Sequence, residues 1–463
     1  MTNKPSSIKN GSITILTNKN FHKEKAYIIS VFCKDFLNVD YEVEVDDSVN
    51  GYLVSYNNVI ITLPDVFFGN FYEDANKNEP NVETIVTGLA KPETTELPAW
   101  FFISQKKESV NDYTIPVDIF GMAFFLMSGF SDLKFSKKDQ HGRDIGKSSF
   151  IANYNLIDRP IIQEWFTVLS INLFGREFLN ENEILPKYKT HISHDVDQPF
   201  EYLDYTIQRL LKRVLGDLLI RKNANTAKNR IELFKRVKGG EEKADPYNNF
   251  ESLLEVLKDH QIKSTFFFVA GGKHPSYDVS YNIGHPAIKK IVKKVADANH
   301  TIGIHPSYET LKNPILLKKE VEILQNICTD IGIHQKIETC RKHYLRWSWE
   351  STPKNLSSAG IKDDYTLGYA DHSGFRAGVG FPFRAFDWET KKQTDLMIHP
   401  LIVMECSLLD HKYMNLNIFE AEEKIKKYQN QLKKLGGEFV ILWHNHRLIE
   451  TVELELFKKS ISS

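Results

Sequence analysis

From Lys189 to about residue 450, short apolar runs alternate with amphipathic helical stretches, and this rhythm limits the possible folds more than any other feature. The strand-like runs are Lys189–His194, Lys263–Val269, Thr301–Ile304, Glu338–Leu345, Gly360–Thr366, Leu401–Cys406 and Glu438–Trp443. Between them, Asn249–Asp259, Pro286–Ala298, Ile315–Ile331, Pro353–Ser358 and Ile418–Leu435 read as helices. Strand followed by helix, repeated, predicts an α/β architecture with a mainly parallel sheet, open or closed into a barrel.

The strand ends carry ionisable groups. The first runs into Asp195 and Asp197, and the second into Gly271-Gly272. The third ends at His305, and the fourth passes Arg341 and His343. The fifth holds Asp363 and Asp364, the sixth ends at Glu405, and the seventh ends at His444. In a βα barrel these ends converge on one mouth, so a metal or acid–base site is expected there. Two carboxylates one residue apart raise each other's pKa unless a cation relieves them. Aspartate, histidine and one further N or O donor suit zinc or a similar divalent ion with one position left open. Such an ion, with a carboxylate base and a histidine acid, hydrolyses an amide or ester. Histidine usage points to the same region: only His22 and His141, of 16, precede His191.

Residues 1–188 read as a smaller α/β unit, with strand-like runs at Ser12–Leu16, Tyr41–Val45, Tyr52–Ser55 and Val59–Leu63. Pro116 to Met127 is apolar nearly all round and predicts a buried helix starting close to the proline. Asp139-Gln-His-Gly-Arg143 reads as a polar loop. One segment, about 202–245, interrupts the βα rhythm. Its leucines fall at helical spacing, and Arg209, Lys212, Arg213, Arg221, Lys222 and Lys228 are among its many basic residues. Such a basic amphipathic element, 206–238, makes peripheral contact with an anionic membrane, binds a phosphorylated sugar carrier, or is a solvated insertion over the site.

Composition removes other classes. A formal net charge of -1 argues against a nucleic-acid partner. No apolar run reaches the ~18 residues of a membrane span. Met1 to Asn20 lacks the apolar core of a secretory signal. The four cysteines lie far apart with no CxxC, which fits a reducing, cytoplasmic compartment.

His194-Asp195-Val196-Asp197, Ser264-Thr265-Phe266-Phe267-Phe268-Val269, Ile302-Gly303-Ile304-His305-Pro306-Ser307, Arg341-Lys342-His343-Tyr344 and Leu442-Trp443-His444-Asn445 follow in a telling order. The set resembles the successive motifs of the polysaccharide deacetylases, carbohydrate esterase family four. Pro116-Val-Asp-Ile-Phe, Asp139-Gln-His-Gly-Arg143 and Gly374-Phe-Arg-Ala-Gly378 extend the likeness to a bacterial branch with an uncharacterised N-terminal domain. The resemblance implies a distorted seven-stranded (β/α) barrel over 189–463, behind the domain 1–188. It implies hydrolytic removal of an N-acetyl group from a saccharide or lipid-linked sugar in surface-polysaccharide assembly. Asp195 would be the base, Arg341 its orienting partner, His444 the general acid, and Tyr344 the backbone donor to the oxyanion. Asp197 and His305 would hold a divalent metal, expected to be zinc. The family's second ligand position is Glu309 here, where histidine is usual; His343, Glu405 and His300 are the other candidates for a third ligand. Two further readings stay open: an inactive barrel that binds saccharide or a partner protein, and a glycosidase built on paired carboxylates.

Overall fold

A computed structural model describes residues 12–74, 77–87, 95–103, 114–272, 274, 276–279 and 281–462. The first eleven residues, on which the reading of a secretory signal partly rests, lie outside this set. Near the N-terminus, β1 (Ile13–Thr17), β2 (Tyr41–Val45), β3 (Tyr52–Tyr56) and β4 (Val59–Leu63) form a sheet in the order β2-β1-β3-β4. Alternation decides its buried face: Ile13, Ile15, Tyr52, Val54 and Tyr56 all point inward. A separate hairpin pairs β5 (Glu83–Thr87) with β6 (Thr95–Ala99). The apolar helix is Ile119–Met127 and starts later than the proline implies. Asp118 is its N-cap: Oδ1 accepts from Gly121 N at 2.7 Å, while Oδ2 accepts from Val66 N and Phe67 N.

The second sheet has nine strands: β7 (Lys189–Val196), β8 (Thr265–Phe268), β9 (Thr301–Ile304), β10 (Thr339–Cys340), β11 (Asp363–Asp364), β12 (Phe383–Asp387), β13 (Lys392–Ile398), β14 (Leu401–Met404) and β15 (Glu438–Leu442). Their order is β12-β13-β11-β10-β9-β8-β7-β15-β14, with every neighbouring pair parallel except β12 and β13. The expected count of seven is corrected by this antiparallel hairpin, which extends the sheet beyond β11. The sheet curls strongly. Arg341, just past β10, reaches Ser193 on β7 at 2.8 Å across the interior. No ladder joins β14 to the far edge. Residues beyond β11 stand in for it: Leu401 N donates to Leu367 O and Gly374 N to Ile402 O, each at 2.9 Å.

The two sheets share a single continuous core, so the N-terminal unit is welded to the barrel. Phe124 meets Phe386 of the hairpin at 5.2 Å, and Phe36 meets Phe381 at 5.0 Å. The Gly374–Gly378 motif forms much of the joint. Its Arg376 is buried between Asp132 (2.9 Å) and Asp144 (2.5 Å) of the N-terminal unit. Gly374 has φ 136°, and a Cβ there would lie 2.3 Å from the Ile157 carbonyl oxygen.

At the N-terminal mouth of the barrel, Tyr365 is stacked between His191 (4.3 Å) and His399 (4.2 Å). Glu438 accepts from His399 Nδ1 at 2.6 Å and lies 3.2 Å from Lys189 Nζ. Burial opposes the Glu438 charge, but His399, His191 and Lys189 outweigh it and hold its pKa down at about 2. A carboxylate depressed on folding adds stability above its ordinary pKa and loses it as pH falls toward the folded value. The depression corresponds to roughly 3 kcal/mol, lost between about pH 5 and 2. We expect the melting temperature of Glu438→Gln to fall less steeply than that of the parent between pH 6 and 3, measured by circular dichroism. Parallel curves would remove Glu438 as the cause.

Candidate active site

Period-two alternation puts Ser193, Asp195 and Asp197 on the same face at the end of β7, the face turned into the barrel. His305 follows β9, Arg341 and His343 follow β10, Glu405 follows β14 and His444 follows β15. The structure brings all of these together and leaves the ligand candidates Glu309 and His300 outside the cluster.

His305 Nδ1 is hydrogen-bonded to the carbonyl oxygen of Arg341. A carbonyl only accepts, so Nδ1 carries the proton and Nε2 offers a lone pair. That Nε2 lies 3.3 Å from Asp197 Oδ1 and 3.6 Å from Asp195 Oδ2. His343 Nε2 lies 3.7 Å from Asp197 Oδ2, and its Nδ1 faces Asp278 Oδ1 at 3.8 Å. Donor atoms of Asp197, His305 and His343 fall within 4.8 Å of one another. Ligands ~2.0–2.1 Å from a tetrahedral ion stand about 3.4 Å apart, so the spacing suits a small divalent cation. Asp197 Oδ1 is buried without a hydrogen-bond partner, a costly state that a cation would relieve. Burial opposes its charge, but His343, His305 and His444 overcome that and hold the Asp197 carboxyl well below its ordinary range. Burial also opposes the charge on His343, yet Asp197 and Asp278 push it up to about 9. Metal uptake there would displace that proton.

Asp195 is almost fully buried and accepts from Arg341 Nη1 at 3.1 Å. Arg341 is itself fixed by Ser193 Oγ (2.8 Å), by the Tyr365 carbonyl (3.0 Å) and by the Phe267 ring beneath it. Opposite, His444 Nδ1 bonds Glu405 Oε1 at 2.5 Å, leaving Nε2 at 3.5 Å from Asp197 Oδ2. Burial works against the His444 charge, but Glu405 outweighs it and raises its pKa well above the ordinary value. Glu405 thus backs His444, and the glutamate is held down at about 2 by the same pairing. Together with Cys406 these two offer a second donor group, although His444 Nδ1 is already engaged.

Glu309 is the correction among the proposed ligands. It is exposed on the turn Tyr308–Leu311 and outside the cluster. Pro306 disfavours helical backbone at His305, so residues 305 and 309 do not share a helix face. The turn is pinned instead: Ser307 N and Oγ donate to buried Glu320, and Tyr308 N donates to Asp278. His300 accepts from Ser264 N, beside the start of β9 and away from the mouth. Tyr344 and Leu345 have φ 62° and 53°. Such backbone costs about 1–3 kcal/mol per residue and clusters at functional sites. Arg143 of the polar loop 139–143 holds this turn, donating to the Tyr344 carbonyl at 3.1 Å. Trp347 and Trp349 are core residues. The groups open into a cavity of about 690 Å³ whose wall includes Tyr205, Tyr247, Tyr277, Arg143, Arg209 and Arg213.

Residues 244–366 match the family model described as polysaccharide deacetylase, and residues 13–176 match a family of unknown function. The chain carries a polysaccharide deacetylase domain.

Among curated proteins none matches the chain. Solved structures give distant likenesses. A Mycobacterium smegmatis protein assigned to the polysaccharide deacetylases is 14% identical, covering 60% of this chain and 84% of its own, with TM-score 0.37. The chitin deacetylase of Colletotrichum lindemuthianum is 12% identical over 58% and 80%, with TM-score 0.29. A 4-alpha-glucanotransferase from Thermococcus litoralis is 12% identical over 60% and 37%, with TM-score 0.35. Two residues of the site have contacts that the sequence reading missed: Asp278 as a partner of His343 and Glu405 as the partner of His444. Asp278 lies in a loop with no strand-end signal, and Glu405 stands at a strand end but reads there as a ligand.

Proposed function

We propose that the deacetylase domain hydrolyses the N-acetyl group of an amino sugar with a divalent ion, zinc, held by Asp197, His305 and His343. The buried Asp197 oxygen without a hydrogen bond, at ligand spacing from His305, carries this reading. When bound, such an ion supplies water of lowered pKa and polarises the amide carbonyl. Asp195, oriented by Arg341, takes the proton of the attacking water. The Tyr344 N–H donates to the oxygen on which negative charge develops. His444, kept protonated by Glu405, gives its proton to the departing amine. Residues 1–188 wall the cavity through Arg143, and residues 189–463 carry the chemistry. As the resemblance implies, the reaction would serve bacterial surface-polysaccharide assembly, and the four free cysteines suit a cytoplasmic setting.

The test is acetate release from oligosaccharides of N-acetylated glucosamine, galactosamine and mannosamine. Acetate and free amine should appear together, vanish with a chelator and return with zinc. Reducing sugar without acetate would establish the glycosidase reading. No turnover and no bound metal would establish the inactive barrel. In His444→Ala, kcat should drop by about 10²–10³-fold. Metal content should stay near one equivalent, because His444 is not a ligand; a loss of metal would contradict the assignment.

A further inference from the structure

The structure leaves one apolar face unpartnered beside the catalytic cavity. The helices Ile207–Leu219 and Ala224–Lys238 pack as a hairpin inserted after β7. Leu210 and Val214 of the first helix are buried against the second. Ile207, Leu211, Leu215, Leu218, Leu219 and Ile220 are not, with exposures of 44–83%. They are six of the sixteen exposed large hydrophobic side chains among the described residues, gathered into fourteen positions. On a helix wheel, Ile207, Leu218, Leu211, Leu215 and Leu219 span roughly a third of the circumference. A solvated insertion would place polar residues there.

Charge identifies the occupant. Residues 206–238 hold ten lysines and arginines against two acidic residues, in a chain whose net charge is -1. Some of this charge is consumed internally: Arg221 and Arg230 pair with Asp217, and Arg236 pairs with Glu241. Lys212, Lys222, Lys228 and Lys235 are exposed and form no ion pair among the described residues. Lys228 and Lys235, with Glu232 between them, rim an apolar groove of about 430 Å³ between the two helices, floored by Val214, Leu218, Ala227 and Ile231. A soluble partner would need both an apolar ridge and an acidic rim. An anionic bilayer supplies both over any area, with acyl chains for the leucines and headgroups for the lysines.

We propose that the hairpin 207–238 docks the protein on an anionic lipid surface, with the leucine row inserted among the acyl chains. Arg209 and Arg213 lie on the opposite side of the same helix and line the catalytic cavity, so docking sets the cavity about one helix diameter, ~10–12 Å, from the headgroup layer. A saccharide attached to a lipid carrier would then reach the site without leaving the membrane. The docking does not rest on the deacetylase reading, and its test is independent of turnover.

The full chain is sedimented with vesicles of phosphatidylglycerol and phosphatidylcholine, with phosphatidylcholine vesicles as control. Binding to the anionic vesicles should exceed the control at least tenfold and weaken with added salt. Leu211→Glu/Leu215→Glu and, separately, Lys212→Glu/Lys222→Glu/Lys228→Glu should each lose it at least tenfold while keeping the parental melting temperature. The metal-site variant Asp197→Ala should still bind. Equal sedimentation with both vesicle types, or binding untouched by the leucine substitutions, would overturn the proposal. So would a dimer in solution that Leu211→Glu/Leu215→Glu converts to monomer, since the face would then cover a second copy of the chain.

Discussion

Asp197→Ala is expected to emerge from purification with less than about a tenth of an equivalent of metal, where the parent holds one. Each Asp197 oxygen faces a different histidine, Oδ1 toward His305 and Oδ2 toward His343. Without it, two imidazoles remain as donors, and the anion that compensates the cation is gone. His343 also loses the partner that keeps its pKa raised. Acetate release should fall by about 10³–10⁴-fold, the several kcal/mol that Lewis-acid assistance supplies. Folding should survive, because Asp197 is half-buried and forms no hydrogen bond through Oδ1. Glu309→Ala is the internal control. Its side chain is exposed on the turn after Ser307, so metal content and rate should match the parent. The reverse pattern, with Glu309→Ala stripped of metal and Asp197→Ala loaded, would refute the ligand set. Elemental analysis of both variants decides it.

The sequence carries the barrel because the βα rhythm and the strand-end charges are local signals. β7 combines alternation with Asp195 and Asp197, so both its register and its purpose are legible at once. The hairpin β12–β13 is not legible. Its turn uses Glu389-Thr390-Lys391, with Lys391 in left-handed backbone at φ 57°, where a turn signal would have shown glycine or asparagine. β10 is shorter than its apolar run because the strand gives way at once to the turn His343–Leu345. Glu309 reads as a ligand from family spacing, but Pro306 alters the local backbone, and no spacing rule reveals that His343 comes round from β10 to face Asp197. Asp278 and Glu405 act through tertiary contacts with histidines 65 and 39 residues away, beyond any local pattern. Arg376 stands in a legible Gly-x-Arg-x-Gly motif, yet its partners lie in the other half of the chain.

Arg376→Met should cost about 3–5 kcal/mol of unfolding free energy at pH 7, the loss typical of breaking a buried charge network from one side. The guanidinium is fully enclosed, donates to Asp132, Asp144 and the Gly368 carbonyl, and lies over the Tyr369 ring. Removing it leaves two buried carboxylates facing each other with little to replace it. Asp132 retains Trp349 Nε1, and Asp144 retains Ser136 and the half-exposed Lys138. Burial already raises the Asp132 pKa against the pull of Arg376, whereas at Asp144 burial is outweighed by Arg376, Lys138 and Ser136, which hold its carboxyl below the ordinary value; without the arginine both rise. A carboxyl raised on folding destabilises above its unfolded pKa and stops doing so once protonated in both states. The deficit should therefore shrink as pH falls toward about 4. Lys138→Met removes a half-exposed partner of the same Asp144 and should cost no more than about 1 kcal/mol. Urea unfolding of the three proteins at pH 7 and pH 4.5 reads both effects. Equal losses in the two variants, or a deficit that grows on acidification, would show that the weld between the N-terminal unit and the barrel is apolar packing alone. If the network does hold the joint, Arg376→Met should also slow acetate release. Asp144 adjoins Arg143 in the chain, and Arg143 is the side chain that fixes the strained Tyr344 turn.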